Sequence, residues 1–75
     1  MGWSDALNAI EIHLNGEPRD VPEGLSIEEL LRRFDLQPRM IVVEHNGDIL
    51  RRERYGEVRV GPGDALELVH FVGGG

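Results

Sequence analysis

Leu25-Ser26-Ile27-Glu28-Glu29-Leu30-Leu31-Arg32-Arg33-Phe34 reads as one amphipathic helix with its start encoded in the sequence. Ser26 is the N-cap, and Glu29, three residues on, completes a capping box in which each side chain bonds the other residue's backbone N–H. Leu25 before the cap and Leu30 inside form a hydrophobic staple. Glu28 and Glu29 sit in the first turn, where the helix dipole favours negative charge, and Arg32 and Arg33 sit near the end, where it favours positive. Ile27, Leu30, Leu31 and Phe34 recur at i, i+3, i+4 and i+7, which is one apolar stripe. Pro38 disfavours helical geometry at Gln37, so the helix ends before it. A single helix with a single stripe can cover one face of one sheet.

The flanks supply that sheet. Upstream, Ile10, Ile12 and Leu14 alternate with Glu11 and His13, the period of a half-buried strand. Asn15-Gly16 then predicts a type I′ hairpin turn, and Glu17 to Val21 folds back. Pro18 cannot donate to a ladder, which puts this strand at a sheet edge. Downstream, Met40 to His45 is a strand closed by a second Asn-Gly turn, and Ile49 and Leu50 form its short return. Arg51 to Tyr55 fits a brief helical turn, Glu57 to Val60 a short strand, Gly61-Pro62-Gly63-Asp64 a turn, and Ala65 to Val72 the last strand. The order predicts a two-layer α+β domain of β-grasp (ubiquitin-like) type, a mixed four- to five-stranded sheet with one helix on one face. Its expected extent is residues 9–72, with a flexible leader at 1–8 and a flexible glycine tail at 73–75. The expected core is Ile10, Ile12, Leu14, Val21, Ile27, Leu30, Leu31, Phe34, Ile41, Val43, Leu66 and Leu68.

Composition narrows function. The chain has 75 residues, no cysteine and a net charge of -6 from 14 acidic and 8 basic residues. The acidic balance argues against nucleic acid, whose affinity comes largely from phosphate neutralisation, and against an anionic membrane surface. It suits a partner with a basic surface, although solubility alone also accounts for it. No apolar run approaches the ~20 residues that span a bilayer, and no signal peptide is visible, so a cytoplasmic location is expected. All eight basic residues are arginine. A chain without lysine has no side-chain amine to attack its own activated terminus, though base composition explains the bias more simply.

Internal chemistry is poorly provided for. Thr and Cys are missing, Ser26 is committed to its cap, and Ser4 lies in the leader, so a nucleophilic triad has no candidate. His13, His45 and His70 lie on strands without ligand spacing, and no metal site is expected. Gly61-Pro62-Gly63 leads to a strand rather than a helix N-terminus, which makes it a turn and not a phosphate loop. No residue is assigned a catalytic role. The distinctive group is the carboxylate of Gly75, carried by Val69-His70-Phe71-Val72-Gly73-Gly74-Gly75. Three glycines lose much conformational freedom on ordering and pack no side chain, but when extended they push that carboxylate about 10 Å from the strand. The sheet face away from the helix should carry Glu11, His13, Val42, Glu44, Glu67, Val69 and Phe71. Apolar Val42, Val69 and Phe71 in a rim of carboxylates form a candidate docking patch beside the tail.

Several segments carry a family resemblance: Ile12-His13-Leu14-Asn15-Gly16-Glu17; Val21-Pro22-Glu23-Gly24-Leu25-Ser26-Ile27-Glu28-Glu29-Leu30-Leu31; Val43-Glu44-His45-Asn46-Gly47; Gly63-Asp64-Ala65-Leu66-Glu67-Leu68; and the terminal His70-Phe71-Val72-Gly73-Gly74-Gly75. Over residues 10–75 the chain resembles the sulfur-carrier family of thiamine biosynthesis, ThiS. The terminal Gly-Gly is shared with molybdopterin-synthase small subunits and ubiquitin-like modifiers, the two alternatives. The leader 1–8 departs from the family pattern. The resemblance implies that an E1-like enzyme uses ATP to adenylate Gly75, with no cofactor bound by the carrier itself. A sulfur donor such as a cysteine desulfurase then makes the thiocarboxylate, and thiazole synthase receives the sulfur. It also implies that Gly73 and Gly74 are the tail residues the partners recognise.

Overall fold

A computed structural model describes residues 8–70. Five strands and one helix are formed: β1 (Ala9–Leu14), β2 (Glu17–Pro22), α1 (Ile27–Arg33), β3 (Ile41–His45), β4 (Asp48–Leu50) and β5 (Ala65–His70). Pro38–Met40 and Arg52–Arg54 are short 3₁₀ turns. The sheet order is β2-β1-β5-β3-β4. The pairing of β1 with β5 is parallel, and the other three are antiparallel.

Both hairpins close as expected. Asn15 and Gly16 have φ of 52° and 83°, and Asn46 and Gly47 have 53° and 90°, the pair of positive values a type I′ turn requires. Pro18 does lie on an edge strand, β2. At the helix start Ser26 N–H donates to Glu29 Oε1 at 2.9 Å and Glu29 N–H donates to Ser26 Oγ at 3.1 Å. The helix end was less legible. Asp35 takes a left-handed φ of 61°. Asp35 N–H bonds Arg32 O at 3.0 Å and Leu36 N–H bonds Leu31 O at 2.9 Å. This is a Schellman motif with Leu36 as its apolar follower, so the helix stops at Arg33, well before Pro38 acts.

The core between α1 and the sheet holds Ile12, Val21, Ile27, Leu30, Leu31, Ile41, Val43 and Leu66, as expected. It also holds Tyr55 and Val60, which the expected list lacks. Ile10, Leu14, Phe34 and Leu68 are only partly buried around it, with Leu25 and Leu36. Tyr55 enters because its hydroxyl donates to Ile41 O at 2.7 Å inside the core. That carbonyl points towards β4, whose pairing with β3 stops at Val43 and Leu50, so the tyrosine completes the ladder where the short strand ends.

One expected strand does not form. Residues 57–60 make a single bridge, Ser26 with Arg59, supported by Ile27 N–H to Val58 O and Val60 N–H to Leu25 O, both 2.9 Å. The ladder cannot lengthen because its partner turns into α1 at Ile27. Met40 likewise closes the 3₁₀ turn rather than opening β3. The expected leader and tail lie largely outside the described residues.

Candidate functional site: the open sheet face

The uncovered face is set by register. β3 and β5 place Val42 opposite Val69 and Glu44 opposite Glu67. Opposed residues share a face. Their neighbours Val43 and Leu66 are buried under the helix, so these four project the other way. Val42 is 40% exposed and Val69 59%. On the far side of β5, β1 contributes Glu11 and His13, paired with Asp20 and Pro18 of β2. The structure therefore brings together the expected Val42, Val69, Glu11, His13, Glu44 and Glu67. The other expected site residues, Phe71, Gly73, Gly74 and Gly75, lie outside the described residues.

The face holds one residue that sequence reading passed over. Ile49 of β4 stands opposite Glu44 and is 70% exposed, which adds a third apolar side chain to Val42 and Val69. The signal was available. Counting outward from the two-residue Asn46-Gly47 turn pairs His45 with Asp48 and Glu44 with Ile49.

A polar knot at one end of the sheet holds this register. Asp64, at the entry to β5, accepts from Gly61 N–H at 2.8 Å and from Asn46 Nδ2 at 3.2 Å. His45 Nε2 lies 2.8 Å from Asp64 Oδ2. Asn46 Oδ1 accepts from Ala65 N–H at 2.8 Å. These contacts tie the β3–β4 turn to the first residue of β5 and so align Val42 with Val69 several residues away. Burial raises the Asp64 carboxyl, but the Gly61 N–H, His45 and Asn46 together bring it below its ordinary value.

The groove beside α1, lined by Ser26, Glu28, Glu29, Arg32, Gly56 and Arg59, has its charges matched within it. Arg32 bonds Glu28 at 3.2 Å, and Glu29 is held by Ser26. Among the described residues, no group of three or more His, Asp or Glu side chains is placed to hold a metal ion. No helix there is long and apolar enough to cross a membrane.

The ThiS family model matches residues 8–75. The chain belongs to the ThiS family. Its β-grasp architecture agrees with a solved ThiS: the crystal structure of the thiamine biosynthesis protein ThiS from Geobacter metallireducens superposes with a TM-score of 0.76 at 38% identity, covering 88% of this chain and 100% of that one. The Bacillus subtilis (strain 168) sulfur carrier protein ThiS is 44% identical over 50 residues, 67% of this chain and 76% of the relative. A thiazole synthase from Magnetococcus marinus is 41% identical over 66 residues, which are 88% of this chain and 20% of that protein. The ThiS-like chain thus spans about a fifth of the length of that relative.

Proposed function

We propose that this chain is a sulfur carrier for thiamine biosynthesis whose working group is the carboxylate of Gly75. A carboxylate is a poor electrophile. An E1-like enzyme would let it attack the α-phosphorus of ATP, releasing pyrophosphate and leaving an acyl-adenylate. The persulfide of a donor such as a cysteine desulfurase then attacks the acyl-adenylate and expels AMP to give an acyl disulfide. A thiol reductant attacks the donor-side sulfur of that S–S bond, leaves as a disulfide with the donor and releases the thiocarboxylate, whose sulfur thiazole synthase takes up. The carrier contributes recognition and reach and is acted on by its partners. The match of residues 8–75 to the ThiS family carries this reading. Thiazole synthase is favoured as acceptor because two thiazole synthases contain a region similar to this chain, and sharing one chain gives two modules a high effective concentration.

The open face supports the docking half of the proposal. Val42, Val69 and Ile49 are exposed apolar groups, and Glu44 stands directly opposite Glu67, an arrangement that disfavours the sheet. An apolar centre with unrelieved carboxylates fits a partner presenting apolar and arginine side chains. Val69 lies on the strand that leads into the tail, so docking here delivers Gly73, Gly74 and Gly75 to the partner's catalytic centre.

The test is the intact mass after incubation with ATP, the E1-like enzyme and a sulfur source. Replacement of one terminal oxygen by sulfur is expected, and deletion of Gly74 and Gly75 should remove it without lowering Tm. An unchanged mass, with an enzyme shown to be competent on another carrier, would overturn the reading.

A further inference from the structure

β5 is central in the sheet order, yet half of it is an edge. On the β3 side its pairing runs the full length, from His45 with Leu66 to Ile41 with His70. On the β1 side it stops at Leu14 with Leu66, because β1 turns away at Asn15-Gly16. Backbone direction follows from the bonds present. Asp64 O and Leu66 O accept from His13 and Asn15 N–H on the β1 side, whereas Ala65 O accepts from Asn46 N–H on the β3 side. Successive residues alternate, so Leu68 and His70 aim their polar groups at the side β1 has vacated. Leu68 N–H finds Asn15 Oδ1 there at 2.7 Å. Among the described residues, Leu68 C=O and His70 N–H find no strand beyond it.

The two outer edges of the sheet carry features that discourage pairing. β2 carries Pro18, Arg19, Asp20 and Pro22, and β4 is three residues long. Proline, charge and brevity are how sheets discourage edge pairing. Leu68-Val69-His70 is as short as β4 but carries no proline, Asp, Glu or Arg, and the chain continues from it towards Gly75.

We propose that the Leu68–His70 edge accepts an added β-strand from the enzyme that activates the tail, with Leu68 C=O and His70 N–H as the pairing groups. This rests on the sulfur-carrier reading and uses a different surface from the open face. The occupant is an extended segment with apolar and basic side chains, since its open-face residues would lie beside Val69 and Glu67. A second copy of this chain fits worse, because it would bring two acidic faces of a chain with net charge -6 side by side. Strand addition would also hold the tail root at two points, face and edge, which fixes the direction in which the glycines leave.

His70→Pro tests it. The ring removes the one N–H and blocks an incoming strand, while the bonds to β3 use Val69 and Glu67. Binding to the E1-like enzyme is measured by calorimetry for wild type, His70→Pro and His70→Ala, with Tm as the fold control. At least tenfold weaker binding for His70→Pro, with His70→Ala near wild type, is expected. Amide exchange on wild type gives a second reading independent of any variant: the His70 N–H should slow at least tenfold in the complex. Wild-type affinity in His70→Pro, or unchanged His70 exchange in a complex that still forms the thiocarboxylate, would overturn the edge and leave the carrier function standing. A wild-type chain neither bound nor activated would overturn both. A concentration-dependent dimer that His70→Pro dissociates would assign the edge to a second copy and overturn the enzyme as occupant.

Discussion

The side-chain oxygen of Asn15 accepts a hydrogen bond from the Leu68 N–H at 2.7 Å, joining positions 53 residues apart. The same asparagine holds φ at 52° for the first hairpin turn and donates its own N–H to Leu66 O at 2.8 Å. One residue thus closes β1 on β2 and extends the β1 side of β5 by one more bond. Asn15→Gly keeps the turn, because glycine tolerates positive φ, but deletes the acceptor. A loss of about 0.5–1.5 kcal/mol is expected, with faster exchange of the Leu68 amide. Urea unfolding with amide exchange measures both, and a variant as stable as wild type would show the contact to be idle.

Tyr55 plays the matching part at the other side of β3. Its hydroxyl is the donor for Ile41 O beyond the end of β4, in a site where Tyr55 is 4% exposed. Tyr55→Phe preserves the packing and leaves a buried carbonyl unpaired, at a cost of about 1–3 kcal/mol. Thermal unfolding reads this directly. Phenylalanine at no cost would mean that water satisfies Ile41 instead.

Stability should fall in acid through Asp64. Its carboxyl is held below the ordinary range in the folded chain. A depressed carboxyl stabilises the fold fully above its unfolded value, near pH 4, and the contribution is lost as pH falls through the lower folded value. Asp64→Asn should therefore be less stable than wild type at neutral pH and converge on it in strong acid. Equal gaps at both ends of the pH range would locate the acid sensitivity elsewhere.

The proposal that the open sheet face docks a partner predicts a separation of binding from folding. Val69 and Ile49 are exposed, so Val69→Arg and Ile49→Ser should leave Tm nearly unchanged. Each should weaken binding to the E1-like enzyme by about 1–3 kcal/mol if the apolar centre is the hot spot. Calorimetric titration of the two variants tests this, and unaltered dissociation constants would remove the face from the interface.

The sequence by itself determined what is settled within a few residues of itself. The capping box of Ser26 and Glu29, both Asn-Gly turns and the edge position of the Pro18 strand each need only near neighbours, and each was legible. So was family membership, because its motifs are runs of adjacent residues. The apolar stripe of α1 required a sheet to cover it but did not say in which order the strands would lie. Tertiary structure decided the parallel meeting of β1 with β5 and the arrival of Tyr55 and Val60 in the core. It also decided that residues 57–60 bridge the helix cap instead of joining the sheet, and that β5 runs on past the end of its pairing with β1. These outcomes depend on which distant backbone donors and acceptors come face to face, and a residue's own neighbours in the chain carry no record of that.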